Sequence, residues 1–426
     1  MNNKKNKLCV LSLITIICFG IIGSYFLKTN EKEKINSKTV LAQTIVEETK
    51  EIRAVWISFL EFQEAGMEKM SKKQFMTYID KIFNNCVKLN MNTVIVQVRP
   101  FGDAMYSSEY FPWSKIASGK QGRNPGYDPL EYMVESAHAK GLQIEAWINP
   151  YRVTLTETSL KKLSKNNQAV KWSKSKDSSL RRNVLHFDGK FYYNPAKEEV
   201  HELIVSGVKE IVQNYQVDGI HFDDYFYPTL GQKYKKNFDA KEYKVYKKKC
   251  KNEGTKPISI IKWRRNNVDI LVSKVYSAIK EINSDVKFGI SPAGNLSNLY
   301  AKDRYYSDVK KWMNKTGYID YICPQIYWSF TNKICPYSAT VKKWAKLKKN
   351  EEVDLYIGIA AYRAGISKKE AMQIGDKGWA GSNTQLKRQV LDARKNGKIS
   401  GFAFYRYNYM MGKKAKKEIK NLKEVL

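Results

Sequence analysis

From Glu51 onward, short apolar runs alternate with longer segments in which apolar residues recur every three to four positions. The runs are Arg53–Phe59, Thr93–Arg99, Gln143–Asn149, Gly219–Asp224, Lys287–Pro292, Tyr321–Trp328, Leu355–Ala361 and Gly401–Tyr405. Their length and their β-branched and aromatic content predict strands. The segments Lys72–Leu89, Pro129–Lys140, Lys197–Tyr215, Trp263–Ile282, Asp303–Lys315, Ser338–Lys348, Thr384–Asn396 and Lys413–Val425 carry the helical period and predict helices. Eight strand-then-helix units in unbroken series predict an α/β fold of the (β/α)8 TIM-barrel type. The alternative, an open doubly wound sheet, usually has fewer strands and a glycine-rich phosphate loop after the first. Phe59-Leu60-Glu61-Phe62 is no such loop. Long loops follow strands two, three and four, at Pro100–Asp128, Pro150–Ala196 and Tyr225–Lys262. Loops on that face build the cleft of a barrel. The third of them, rich in Lys and Tyr, reads equally as a lid or a solvated insertion.

Ahead of this pattern, Lys4, Lys5 and Lys7 precede an apolar run from Leu8 to Leu27 of about 20 residues, a membrane-spanning length. Lys28, Lys32 and Lys34 follow, with no small-residue cleavage site. Residues 1–28 therefore predict a transmembrane signal anchor that holds the rest on the extracytoplasmic face of the cell membrane. The alternative is a cleaved signal peptide and a secreted protein. Residues 29–50 are polar and aperiodic and predict a flexible tether. Residues 51–426 form the expected catalytic domain.

Composition changes this picture in two ways. The 426 residues include 74 Lys+Arg against 42 Asp+Glu, a formal net charge of +32. Such an excess favours a polyanion nearby, whether anionic lipid, acidic wall polymer or nucleic acid. It is spread along the chain without a recognisable nucleic-acid module, so no nucleic-acid partner is expected. The 28 Tyr and 9 Trp supply rings suited to stacking on the apolar face of a pyranose. The six cysteines lack CxxC spacing, so neither a zinc site nor a disulfide framework follows, and Cys323–Cys335 is the one pair considered for a bridge. No metal or cofactor is expected.

The candidate chemistry centres on Val217-Asp218-Gly219-Ile220-His221-Phe222-Asp223-Asp224-Tyr225. Ile220 and Phe222 alternate with His221 and Asp223, and two carboxylates end the strand. Chemistry sits at the C-terminal ends of barrel strands. Asp223 has inward parity and is expected to be the nucleophile or the stabiliser of an oxocarbenium ion. Asp224 is the expected acid, provided the strand ends or bulges there. Glu145, Asp103 and Glu61 are the other candidates for the second carboxyl of a glycosidase pair. Arg99, Trp147, Asn149, Arg152, His221, Gln325, Tyr327 and Arg406 lie at strand ends and are expected to contact a saccharide, amides and Arg reading its substituents and rings stacking on it. Trp147, Tyr327 and Trp328 are the candidate platforms.

Nine stretches resemble the glycosyl-hydrolase-like family 10, which is distinct from the xylanase family of that number. They are Arg53-Ala54-Val55-Trp56, Gln97-Val98-Arg99-Pro100, Asn124-Pro125-Gly126-Tyr127-Asp128-Pro129-Leu130, Ala146-Trp147-Ile148-Asn149-Pro150-Tyr151-Arg152-Val153, and Asp218 through Tyr225. Trp263-Arg264-Arg265-Asn266-Asn267, Ser291-Pro292-Ala293-Gly294, Pro324-Gln325-Ile326-Tyr327-Trp328 and Tyr356-Ile357-Gly358-Ile359-Ala360 complete the set. The resemblance implies a (β/α)8 barrel that hydrolyses glycan in the bacterial envelope, with peptidoglycan glycan strands as substrate. It maps the family's aspartate pair onto Asp223 and Asp224. The strand-four pattern also looks like the nucleophile strand of amylase-type barrels, which favours Asp223. Those enzymes keep a Glu at the end of strand five, where this chain has Ser291-Pro292-Ala293-Gly294. A non-catalytic glycan-binding protein on a degenerate barrel is the competing expectation.

Overall fold

The computed structural model describes residues 51–426; the predicted anchor (1–28) and tether (29–50) lie outside the described residues. The strands are β1 (Ile52–Ile57), β2 (Thr93–Arg99), β3 (Gln143–Ile148), β4 (Val184–Phe187), β5 (Lys190–Tyr193), β6 (Gly219–Phe222), β7 (Lys287–Ile290), β8 (Tyr321–Ile322), β9 (Asp354–Ile359) and β10 (Gly401–Phe404). All but β4 and β5 form one closed parallel barrel, which β1 seals by pairing with both β2 and β10. The (β/α)8 expectation holds.

Alternation along each strand separates two apolar clusters. Outward residues, among them Val94, Val96, Ile144, Ile220, Phe222, Phe288, Ile357 and Phe404, join the helices in the larger one. The helix Lys72–Lys88 shows why its sequence fits. Ser71 and Gln74 form a capping box, and Phe75, Ile79, Ile82, Phe83 and Cys86 fall on one buried face. Each such side chain contributes about 1.5–3 kcal/mol by leaving water. The smaller cluster fills the lumen with Ala54, Trp56, Ile95, Trp147, Tyr321, Cys323, Tyr356 and Ala403.

Two expectations need correction. The predicted helix Asp303–Lys315 is helical only over Val309–Trp312. Tyr305 and Tyr306 take positive φ, and Tyr305 pairs with Tyr227 instead. The predicted strand Tyr321–Trp328 keeps regular pairing only over Tyr321–Ile322, because Pro324 has no N–H to offer the ladder. The chain resumes contact at Gln325, which bridges Ala293 and Gly358. The loop after the fourth barrel strand contains the helix Ala240–Asn252. No Cys323–Cys335 bridge forms. Cys323 faces the lumen, outside which Cys335 lies, and both are free thiols.

The hairpin β4–β5 was missed within the second long loop, though its signal is present. Asp188 and Gly189 follow Phe187 with φ of 49° and 70°, the two positive angles of a type I′ turn. Val153 N donates to Phe191 O at 3.0 Å and Tyr193 N to Tyr151 O at 2.8 Å, so the hairpin braces the rim after β3.

Gly289 on β7 leaves room for Tyr321. A Cβ there would stand 1.9 Å from the ring, which is held by a stack on Tyr356 at 4.5 Å. Gly289→Ala should therefore destabilise the barrel by about 3 kcal/mol. Urea unfolding followed by tryptophan fluorescence measures this, and parent-like stability would mean that the ring moves aside freely.

Candidate active site

The fourth barrel strand stops at Phe222, and Asp224 sits in a bend. That break brings Asp223 and Asp224 to the same end of the barrel. Asp223 is buried and Asp224 half-buried. Asp223 Oδ2 accepts from Asn149 Nδ2 at 2.6 Å and Trp147 Nε1 at 3.2 Å, and Oδ1 accepts from Tyr225 N at 3.0 Å. Asn149 is itself oriented. Its Oδ1 accepts from Gln97 Nε2 at 2.6 Å, and Gln97 Oε1 accepts from Phe59 N at 3.1 Å. This relay fixes which way each amide points.

Burial raises both carboxyls above the ordinary range. For Asp223 the rise is opposed by the Tyr225 N–H, the charge of Arg152, Asn149 and Trp147. For Asp224 the charge of Asp223 adds to burial, with Gln325 and Arg152 opposing. The two titrate as a pair. The three N–H donors gathered on Asp223 oppose its rise, while the charge of Asp223 adds to the rise of Asp224.

Arg152 lies over the Tyr225 ring at 4.3 Å and the Phe101 ring at 5.4 Å. Its backbone pairs with Tyr192 of the hairpin, which sets its position. Gln325 donates to Ser291 O at 3.0 Å. In the segments that follow β8, β9 and β10, Tyr327 stacks on Tyr405 at 6.0 Å and meets Tyr362 edge-on at 5.7 Å, making a half-buried aromatic wall. Tyr362, Tyr405 and Tyr225 were not singled out from sequence, and neither was Gln97. Inward parity is the signal for Gln97 and Tyr405, and position at a strand end is the signal for Tyr225 and Tyr362.

Three residues expected on the cleft lie elsewhere. Arg99 turns away because the register slips between Gln97 and Arg99. Arg99 then stands beside outward-facing Ile148, fully buried, its guanidinium 4.2 Å from the Phe111 ring. Arg406 is buried between Glu61 at 2.7 Å and Glu64 at 2.8 Å. His221 is fully buried in the lumen. Trp56 Nε1 donates to its Nε2 at 3.2 Å, so Nδ1 carries the proton and donates to Tyr321 Oη at 2.7 Å. Tyr321 in turn donates to Glu145 Oε2. Trp147 is 5% exposed and serves Asp223 as a donor. Trp328 is half-buried.

The alternative carboxyls are engaged or distant. Glu61 accepts from Ser58 N at 3.0 Å and Asn408 N at 3.2 Å besides its ion pair with Arg406. Asp103 is buried and accepts from Gln121 at 2.8 Å, burial pushing it up to about 6. Glu145 is level with Gly219, four residues before Asp223, a rise of about 13 Å along the strand. Burial pushes Glu145 up to about 8 against the bond from Tyr321, and burial pushes His221 down to about 3.

The chain matches known proteins over almost the whole barrel. A family model described as glycosyl hydrolase-like 10 covers residues 51–376. Glycosyl hydrolase YngK of Bacillus subtilis (strain 168) is 36% identical over 84% of this chain and 68% of its own length. Glycosyl hydrolase DigH of Escherichia coli (strain K12) is 33% identical over 86% of this chain and 85% of its own. Among solved structures, the glycoside hydrolase domain of PgaB (BpsB) from Bordetella bronchiseptica superposes with a TM-score of 0.53 at 12% identity. It spans 87% of this chain and 98% of that domain, a likeness of fold alone.

The Glu145 network sets a pH dependence. Its carboxyl, raised from 4.5 to about 8, holds a proton in the folded chain where the unfolded chain has lost it. Its contribution is complete below 4.5 and is lost as pH rises toward 8. Glu145→Gln stays neutral throughout. The variant's thermal midpoint should therefore gain on the parent's by several degrees between about pH 5 and pH 8. A constant gap would show that Glu145 is ionised across that range.

Proposed function

The chain belongs to the glycosyl hydrolase-like 10 family, and we propose that it is an exported glycoside hydrolase of cell-wall polysaccharide, with peptidoglycan glycan strands as the preferred substrate. The observation that carries the reading is the Asp223–Asp224 pair at the C-terminal end of β6, with three N–H donors gathered on Asp223. Asp223 stabilises the positive charge that develops at the anomeric carbon, an electrostatic term worth several kcal/mol in a dry site. Asp224 protonates the departing oxygen. Arg152 and Gln325 border the pair, and the wall of Tyr327, Tyr362 and Tyr405 offers faces for sugar rings.

A second reading is a wall-glycan-binding protein without catalysis. It is favoured by one observation: the strand ends after β7, β8, β9 and β10 bring no acidic residue. Purified glycan strands, with and without stem peptides, separate the two readings when incubated with the exported part and analysed by mass. The catalytic reading expects fragments; intact strands that remain bound support the second.

The predicted anchor completes the proposal. Among the described residues no helix is long and apolar enough to cross a membrane. Leu8–Leu27 is the proposed attachment to the outer face of the membrane, and N-terminal sequencing of the membrane fraction should find the chain starting before it. A start near residue 30 would replace the anchor by a cleaved leader.

Asp223→Asn should lower the cleavage rate by about a hundredfold or more while glycan binding survives. Asp224→Asn should also lower it, less on substrates with good leaving groups, which need little protonation. The parent rate should fall as alkali removes the Asp224 proton and as acid neutralises Asp223. A folded Asp223→Asn protein cleaving at the parent rate would end the assignment.

A further inference from the structure

The pair is placed unusually for direct displacement. Enzymes that use two carboxyl groups hold them on either side of the scissile bond, about 5–5.5 Å apart for retention and about 6.5–9.5 Å for inversion. Asp223 and Asp224 are neighbours leaving one strand end, so both reach the sugar from one wall. The other acids near the strand ends do not complete the opposite side. Glu61 and Glu64 hold Arg406, and Asp103 lies buried against Gln121. Glu145 stands deep in the lumen, and Asp376, buried, accepts from Ser329 N at 2.9 Å. Asp239 accepts from Arg264 Nε at 2.8 Å and from Tyr227 Oη at 2.8 Å.

Asp223 is also ill suited to forming a bond to carbon. A carboxylate has about four acceptor positions. Three are taken: two on Oδ2, by Trp147 and Asn149, and one on Oδ1, by Tyr225 N. One position on Oδ1 remains, the complement of a single amide N–H.

We propose that the sugar bound at this pair carries a 2-acetamido group whose own carbonyl oxygen is the nucleophile, with Asp223 accepting the amide N–H and Asp224 acting as the acid. This rests on the glycosidase reading and narrows it to β-linked 2-acetamido-2-deoxy glycans, in which the acetamido group lies trans to the leaving oxygen. In the first step the acetamido oxygen bonds to C1 while the C1–O glycosidic bond breaks, its electron pair taking the Asp224 proton. The positive charge rests on the oxazolinium ring, whose N–H points at Asp223. In the second step water attacks C1 and gives its proton to Asp224. The C1–O bond of the ring breaks, restoring the acetamide and leaving the anomeric configuration retained. Glycans with a free amine or a hydroxyl at C2 lack the nucleophile.

The test uses the full chain with N-acetylated glycan oligosaccharides, the same oligosaccharides after chemical de-N-acetylation, and the thiazoline derived from N-acetylglucosamine, a stable mimic of the ring. The expected results are cleavage of the acetylated set with a retained anomer by NMR and cleavage at least about a hundredfold slower of the de-N-acetylated set. The thiazoline should bind by calorimetry, at least about tenfold more weakly to Asp223→Ala but not to Asp224→Ala. Equal cleavage of both sets, an inverted product, or a glycosyl group trapped on Asp223 by a 2-deoxy-2-fluoro glycoside would overturn this mechanism and leave the glycosidase reading standing. Absence of cleavage together with absence of thiazoline binding would overturn both.

Discussion

A carboxylate buried at the mouth of a barrel must be given hydrogen-bond donors, and meeting that demand at Asp223 organises the site. Its three N–H donors come from the end of β3 and from its own strand end. Asn149 is held by Gln97 on β2, and Gln97 by the backbone of Phe59 just after β1. The four consecutive barrel strands β1, β2, β3 and β6 are thus tied to one oxygen atom. The relay is directional, since each amide donates with its nitrogen and accepts with its oxygen. Stability and electrostatics are the same interaction here, because the donors that make burial of a charge on Asp223 tolerable also favour that charge, which in turn raises Asp224.

Beneath that layer the lumen is polar where a plain core would be apolar. Trp56, His221, Tyr321 and Glu145 form one chain of donors and acceptors, each with its partner. A buried network of this kind is favourable only when complete. Completeness needs space, which the glycines provide. Gly289 accommodates the Tyr321 ring, and Gly219 the Glu145 side chain, whose Cγ would be 2.9 Å from an added Cβ. The floor under the aspartates is therefore closely packed and hydrogen-bonded, and Arg152 is the cation beside them.

The loops are held by equally specific contacts. Arg264, from the Trp263-Arg264-Arg265-Asn266-Asn267 stretch, is fully buried and bonds Asp239 and Tyr306, while Tyr227 also donates to Asp239. This clamp fastens the loop that leaves β6 right after the two acids. The β4–β5 hairpin does the same for the rim bearing Arg152. The motifs of the resemblance thus divide into those that reach the pair and those that hold the loops around it.

The order of strands and helices, the barrel and the Asp223–Asp224 pair were legible in the sequence, because hydrophobic period and strand-end position are local properties that survive folding. Trp147, Asn149 and Asp223 were correctly given one facing, since β3 and β6 pair in register without a slip. Arg99 was misread because alternation counts residues and cannot see a bulge; one slip in register carried it through the barrel wall. Arg406 was misread because its partners, Glu61 and Glu64, are over three hundred residues away in the chain and adjacent only once β1 and β10 close the barrel. The wall of Tyr327, Tyr362 and Tyr405 assembles from the segments that follow three different strands for the same reason. The sequence alone determined which side chains were available at the strand ends. Which of them share a charge, a proton or a hydrogen bond was decided by closure of the barrel, because those interactions act over a few ångströms of space and are indifferent to separation along the chain.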